Sequence, residues 1–143
     1  DSSTSRGLGD VYKRQARSGY MGEGILKNKS MNFAIRIVNL YNFLNETKQE
    51  RIMSKQILRS GTSVGANIRE GLFAESPADF IHKYSVAQKE CSETLYWLEL
   101  LNKTNYITTE QYVSLDTDCT ELMKMITSSI ITRKKSLSLT PNH

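Results

Sequence analysis

Glu90-x-x-Glu93, the two cysteines and a pair of glycines are the places where this chain could do chemistry. Carboxylates at i and i+3 on a helix can share a metal ion. A carboxylate-bridged metal bundle, however, needs two Glu-x-x-His units and two further inward Glu residues. No Glu-x-x-His occurs, and the only histidines are His82 and His143. Cys91 and Cys119 stand singly inside apolar patterns without a Cys-x-x-Cys pair, which reads as two small buried hydrophobes of a reducing, cytoplasmic compartment. Gly61-x-x-x-Gly65 lacks the Lys-Ser/Thr ending and the preceding strand of a phosphate loop. The residue types therefore predict no catalytic residue, no metal and no cofactor, and the chain reads as a non-enzyme.

Binding surfaces carry more information. At 100° per residue, Lys48, Arg51, Lys55, Arg59, Thr62, Ala66 and Arg69 fall within about 80° of arc, opposite Met53, Ile57, Val64 and Ile68. Such a stripe is either a solvated face or a surface for RNA or a protein partner. Its lack of aromatic residues favours phosphate contacts over base stacking. Arg133, Lys134 and Lys135 add a basic cluster near the C-terminus. A second line, Val86, Glu90, Glu93, Trp97 and Leu100, recurs at spacings of four and three beside a core line of the same helix. Trp97 is either extra core or the anchor of a subunit contact.

Charge is divided unevenly along the chain. Residues 28–71 carry +4, residues 72–132 carry −5, and the two ends are basic, for a net charge of +4 over 143 residues. A basic half followed by an acidic half suggests head-to-tail self-association, which closes into a ring when the rotation allows.

The elements that must position these residues are helices. Phe33, Ile37, Leu40 and Leu44 give one amphipathic helix over Ser30–Asn45, with Lys29 and Ser30 as its capped entry. A second runs from about Gln49 to Leu72. Ser76 and Pro77 open a third, to about Lys103, whose inner line is Phe80, Tyr84, Ala87, Cys91, Thr94, Leu98 and Leu101. Thr108 or Thr109 caps a fourth, carrying Leu115, Cys119, Leu122, Ile126 and Ile130 to about Arg133. Short connections between helices of this length predict an all-α, antiparallel, up-down-up-down four-helix bundle over residues 28–133. No apolar run reaches the roughly 18 residues of a membrane span.

Residues 1–27 read as a disordered or non-native extension, and 134–143 as a flexible tail. Asp10 to Gln15, DVYKRQ, resembles the translation of a transposase end sequence used to prepare sequencing libraries, so Met21 is the preferred native start.

Three motifs converge on one family: Arg59-Ser-Gly-Thr-Ser-Val-Gly-Ala-Asn-Ile-Arg-Glu-Gly71, Ser76-x-x-Asp79-Phe80 and Glu90-x-x-Glu93-x-x-Tyr96-Trp97-Leu98. With the opening Lys29-Ser30-x-x-Phe33-Ala34-x-Arg36-Ile37-Val38, they resemble the small four-helix-bundle proteins encoded in intervening sequences of bacterial 23S ribosomal RNA genes. The accessory variability protein of diversity-generating retroelements uses the same fold. It forms a pentameric ring and binds a reverse transcriptase and its RNA. The resemblance thus implies a homopentamer and RNA or a reverse transcriptase as partner. The reading is a self-associating accessory protein that binds nucleic acid or a reverse transcriptase. Its alternative is a purely structural or protein-interaction ring.

Small residues at Ser60, Gly61, Ser63 and Gly65 let a neighbouring helix approach closely, whereas Thr62 lies towards the outward arc. Gly65→Leu should therefore destabilise the bundle by about 1–3 kcal/mol, and Thr62→Leu by much less. Equal denaturation midpoints for the two variants would contradict this packing assignment.

Overall fold

The inner line of the third helix is buried at all seven positions, from Phe80 to Leu101, as its spacing of four and three requires. The computed structural model describes the backbone of residues 2–139 and the side chains of residues 22–139. Among them are four helices and no strand: α1 Ser2–Glu46, α2 Met53–Leu72, α3 Pro77–Lys103 and α4 Thr109–Ser138. Each helix packs against two neighbours, α1 on α2 and α4, and α3 on α2 and α4. This is an up-down-up-down four-helix bundle. The turns after α1 and α3 lie at one end, and the turn after α2 and the C-terminus of α4 at the other.

Local chemistry fixes the helix starts. Ser76 caps α3 by accepting from the Asp79 N–H at 3.1 Å, with Pro77 in the first turn. Thr108 caps α4 through a reciprocal box: its hydroxyl accepts from Gln111 N–H at 3.1 Å, and Gln111 Oε1 accepts from Thr108 N–H at 2.9 Å. The start of α2 differs from the expected Gln49. Gln49 adopts φ 53° and reverses the chain, and α2 begins at Met53. Buried Glu50 caps it, accepting from the N–H groups of Ile52, Met53 and Ser54 at 2.9, 2.9 and 2.8 Å.

The boundaries of the bundle also move. Ser30 is no cap. It is a buried residue inside α1, and its hydroxyl donates to Lys27 O at 2.8 Å. Leu26 is 1% exposed, so the core begins before residue 28. The helical backbone of α1 continues back to Ser2, where residues 1–27 read as an extension without structure. Propagating an existing helix adds one hydrogen bond per residue ordered and needs no apolar stripe. At the other end α4 runs on through Lys134 and Lys135 to Ser138, because nothing before Pro141 forbids continuation. The part of the expected tail from Thr140 onward lies outside the described residues.

Close helix approach is concentrated on α2. A Cβ added at Gly61 would lie 2.8 Å from Ile37 Cγ1 of α1, and one at Gly71 would lie 2.6 Å from the Tyr84 ring of α3. At Gly65 the nearest atom would be Ser30 Oγ, at 3.3 Å. Next to Gly61, buried Ser60 meets Thr94 at 2.9 Å across α2 and α3.

Burial alone would raise the Glu50 carboxyl. The three N–H donors and the Ser54 hydroxyl outweigh that and hold it below its ordinary value. A depressed carboxyl stabilises the fold above its unfolded-state pKa, and the contribution is lost as pH falls through the folded-state value. Glu50→Ala should therefore cost about 1–2 kcal/mol at neutral pH. The deficit should shrink as the pH is lowered towards about 3. A pH-independent difference in denaturation midpoint would show that the carboxylate is not the cap.

Candidate functional site

The sequence sets Arg59 on an outward basic stripe and Glu90 and Glu93 on a subunit contact. The structure joins them to one another. Arg59 Nη1 donates to Glu90 Oε1 at 3.5 Å and Nη2 donates to Glu93 Oε2, tying α2 to α3 within one chain. An angular position on a single helix does not report the reach of a long arginine across to its neighbour. The same holds for the charge dipole. Lys29 pairs with Glu121 at 2.6 Å, Arg36 with Asp118 at 2.6 Å, and Lys83 with Glu70 at 3.2 Å. Three cations of the basic first half, Lys29, Arg36 and Arg59, thus meet acids of the second half inside the monomer, whereas the Lys83–Glu70 pair runs the other way.

The remaining expected basic residues do not form one stripe. Lys48 and Arg51 lie in the turn before α2, outside its helical arc, and are exposed beside Lys55 at one end of the molecule. Arg69 is exposed about 20 Å further along α2. At that second end Lys134 and Lys135 are exposed on α4, and the half-buried Arg133 guanidinium sits 4.1 Å from the Phe80 ring centroid. The expected subunit stripe, Val86, Glu90, Glu93, Trp97 and Leu100, is half-buried throughout. Trp97 packs against the core with Tyr96 edge-on at 5.0 Å. Two atoms here are buried without a hydrogen-bond partner, Glu90 Oε2 and Trp97 Nε1.

A different feature opens at the second end. The α1–α4 seam is the sparsest contact of the bundle, and there the helices bound a groove of about 1100 Å³. Lys27, Lys124 and Arg133 line it. Ser128, Ser129 and Thr132 add hydroxyls, and Leu26, Met125 and Phe80 form its floor. Phe73, 82% exposed, stands on its rim. The only acid in the lining, Glu23, is engaged by the hydroxyls of Tyr84 and Ser129, the latter at 2.9 Å. Burial and the Glu23 carboxylate in turn push the Tyr84 phenol well above its ordinary value. The groove therefore carries three cations against one carboxylate, so its lining is net positive. Sequence reasoning missed it because Glu23, Leu26 and Lys27 fell in the supposed extension. The signal was there: Leu26, Ser30, Phe33, Ile37, Leu40 and Leu44 continue the alternation of four and three without a break.

Cys91 and Cys119 are both buried, and contact with Cys91 together with burial drives the Cys119 thiol far up. His82 is exposed, and no group of three or more His, Cys, Asp or Glu converges among the described residues.

Arg59→Ala leaves the half-buried Glu90 without its ion-pair partner. It should cost about 1 kcal/mol, reduced in high salt because the arginine is half exposed. Lys55→Ala should stay within about 0.5 kcal/mol of the parent. Equal midpoints for the two variants would show that the α2–α3 ion pairs contribute nothing.

The model of the 23S rRNA-intervening sequence protein family matches residues 23–128, starting at the groove acid Glu23. Among solved structures, the crystal structure of a protein of unknown function from the S23 ribosomal protein family of Bacteroides thetaiotaomicron VPI-5482 is 58% identical, with a TM-score of 0.76. That match covers 76% of this chain and 97% of the other. None of the curated proteins compared matches significantly.

Proposed function

The chain belongs to the 23S rRNA-intervening sequence protein family, and we propose that it acts without catalysis, as a self-associating accessory protein that holds RNA by its phosphates. The observation that carries the RNA reading is the groove between α1 and α4. Lys27, Lys124 and Arg133 line it against a single acid, Glu23, and an exposed phenylalanine stands at the rim. Phosphates would take the cations, releasing counterions. The Phe73 ring offers a face on which one unpaired base can stack, without sequence preference. Half of the basic residues read from the sequence, Arg69, Arg133, Lys134 and Lys135, lie at this same end and extend the field around the groove. Arg59 is left out, because Glu90 and Glu93 hold it.

Binding of a fluorescent single-stranded RNA, followed by anisotropy over a range of salt concentrations, tests this reading. Lys27→Ala and Lys124→Ala should each flatten the slope of log affinity against log salt by about one phosphate equivalent. Phe73→Ala should weaken binding by about 1–3 kcal/mol with the slope unchanged. If replacing Lys48, Arg51 and Lys55 alters the slope while the groove variants do not, the site is at the other end. No binding at low salt removes the RNA reading and leaves a protein-interaction assembly.

A further inference from the structure

A serine or threonine hydroxyl inside a helix commonly donates back to the carbonyl one turn earlier. Thr117 and Thr127 of α4 do so, to Val113 O at 2.7 Å and to Met123 O at 2.8 Å. Ser128 and Thr132 do not. Both are exposed, both line the groove between α1 and α4, and neither makes a hydrogen bond among the described residues. With Lys124 they follow one another at intervals of four, a ladder of about 12 Å that stays within about 80° of arc on α4. It begins on a cation and continues on two open hydroxyls.

The α1 wall of the groove opens on two glycines. Gly22 and Gly24 line it, and a Cβ added at either would meet nothing within 4 Å. Glycine destabilises a helix interior relative to alanine. Gly61 and Gly71 offset this by admitting Ile37 and the Tyr84 ring. Gly22 and Gly24 admit nothing that belongs to the described chain, so their open backbone is room for a ligand in the groove.

The phosphates of a bound strand are drawn first to charged donors, here Lys27, Lys124 and Arg133. The uncharged hydroxyls are left for what lies between one phosphate and the next, the sugar. A serine or threonine hydroxyl both donates and accepts, and so does a ribose 2′-hydroxyl, the group by which a protein tells RNA from DNA. Resting on the RNA reading above, we infer that Ser128 and Thr132 hydrogen-bond ribose 2′-hydroxyls, so that the groove selects RNA over DNA of the same bases. Gly22 and Gly24 leave the space in which the sugars lie. The selection acts on the sugar alone, which agrees with a surface that stacks a base without reading it.

Anisotropy of the full chain with fluorescent oligouridine and with oligodeoxyuridine of the same length tests this, because the two strands differ only in the 2′-hydroxyl. The parent should bind the ribose strand more tightly. Ser128→Ala combined with Thr132→Val should weaken ribose binding by about tenfold, the worth of two hydrogen bonds, and leave deoxyribose binding unchanged. Circular dichroism should show the same helix content. In a second arm, Gly24→Leu places a side chain in the groove without a clash, so it should weaken binding of both strands while the thermal midpoint does not fall. Equal affinity of the parent for the two strands overturns the inference and leaves the phosphate reading standing. An equal loss for both strands in the double variant puts the hydroxyls on phosphates and overturns it too, as does full affinity of Gly24→Leu. Binding of neither strand at low salt overturns the RNA reading itself.

Discussion

Close approach of α2 to both of its neighbours is the constraint on which the rest of this bundle depends. Glycine in a helix interior costs about 1 kcal/mol relative to alanine, yet α2 carries Gly61, Gly65 and Gly71. A Cβ at Gly61 would run into Ile37, and one at Gly71 into the Tyr84 ring. Those two contacts set the distance of α2 from α1 and from α3. With α2 drawn in, Ser60 reaches Thr94 in the core and Arg59 spans to Glu90 and Glu93 at the surface.

The α1–α4 seam is built on the opposite principle. Polar and ionic contacts cross it, Lys29 to Glu121, Arg36 to Asp118 and Glu23 to Ser129, and the helices stand apart far enough to leave the groove. Exposed ion pairs contribute little each. Their effect is to settle the charges of α1 sideways, which empties its outward face of charge. One set of contacts thus shapes both the net-positive groove and the charge-free outward face of α1.

Charge segregation along the chain illustrates how a correct count supports the wrong geometry. The first half is basic and the second acidic, which reads as a reason for copies to attract one another. Folding instead places α1 beside α4 and α2 beside α3, so each basic element already lies against an acidic one.

The sequence by itself determined the helices and their inner faces. Spacing of four and three is a property of one helix, and capping residues such as Ser76 and Thr108 act within one turn, so both are readable locally. It also determined that Gly65 and its neighbours mark close packing. Only the tertiary structure decided where the charges end. Whether Arg59 faces solvent or Glu93 depends on which helix stands beside α2 and how far away, and no single-helix projection contains that distance. Likewise the Glu50 cap depends on a left-handed residue, Gln49, that turns the chain back on itself. Leu26 lay within reach of the periodicity. What decided its burial was the partner surface on the other helices, because an apolar residue is core only where another element covers it.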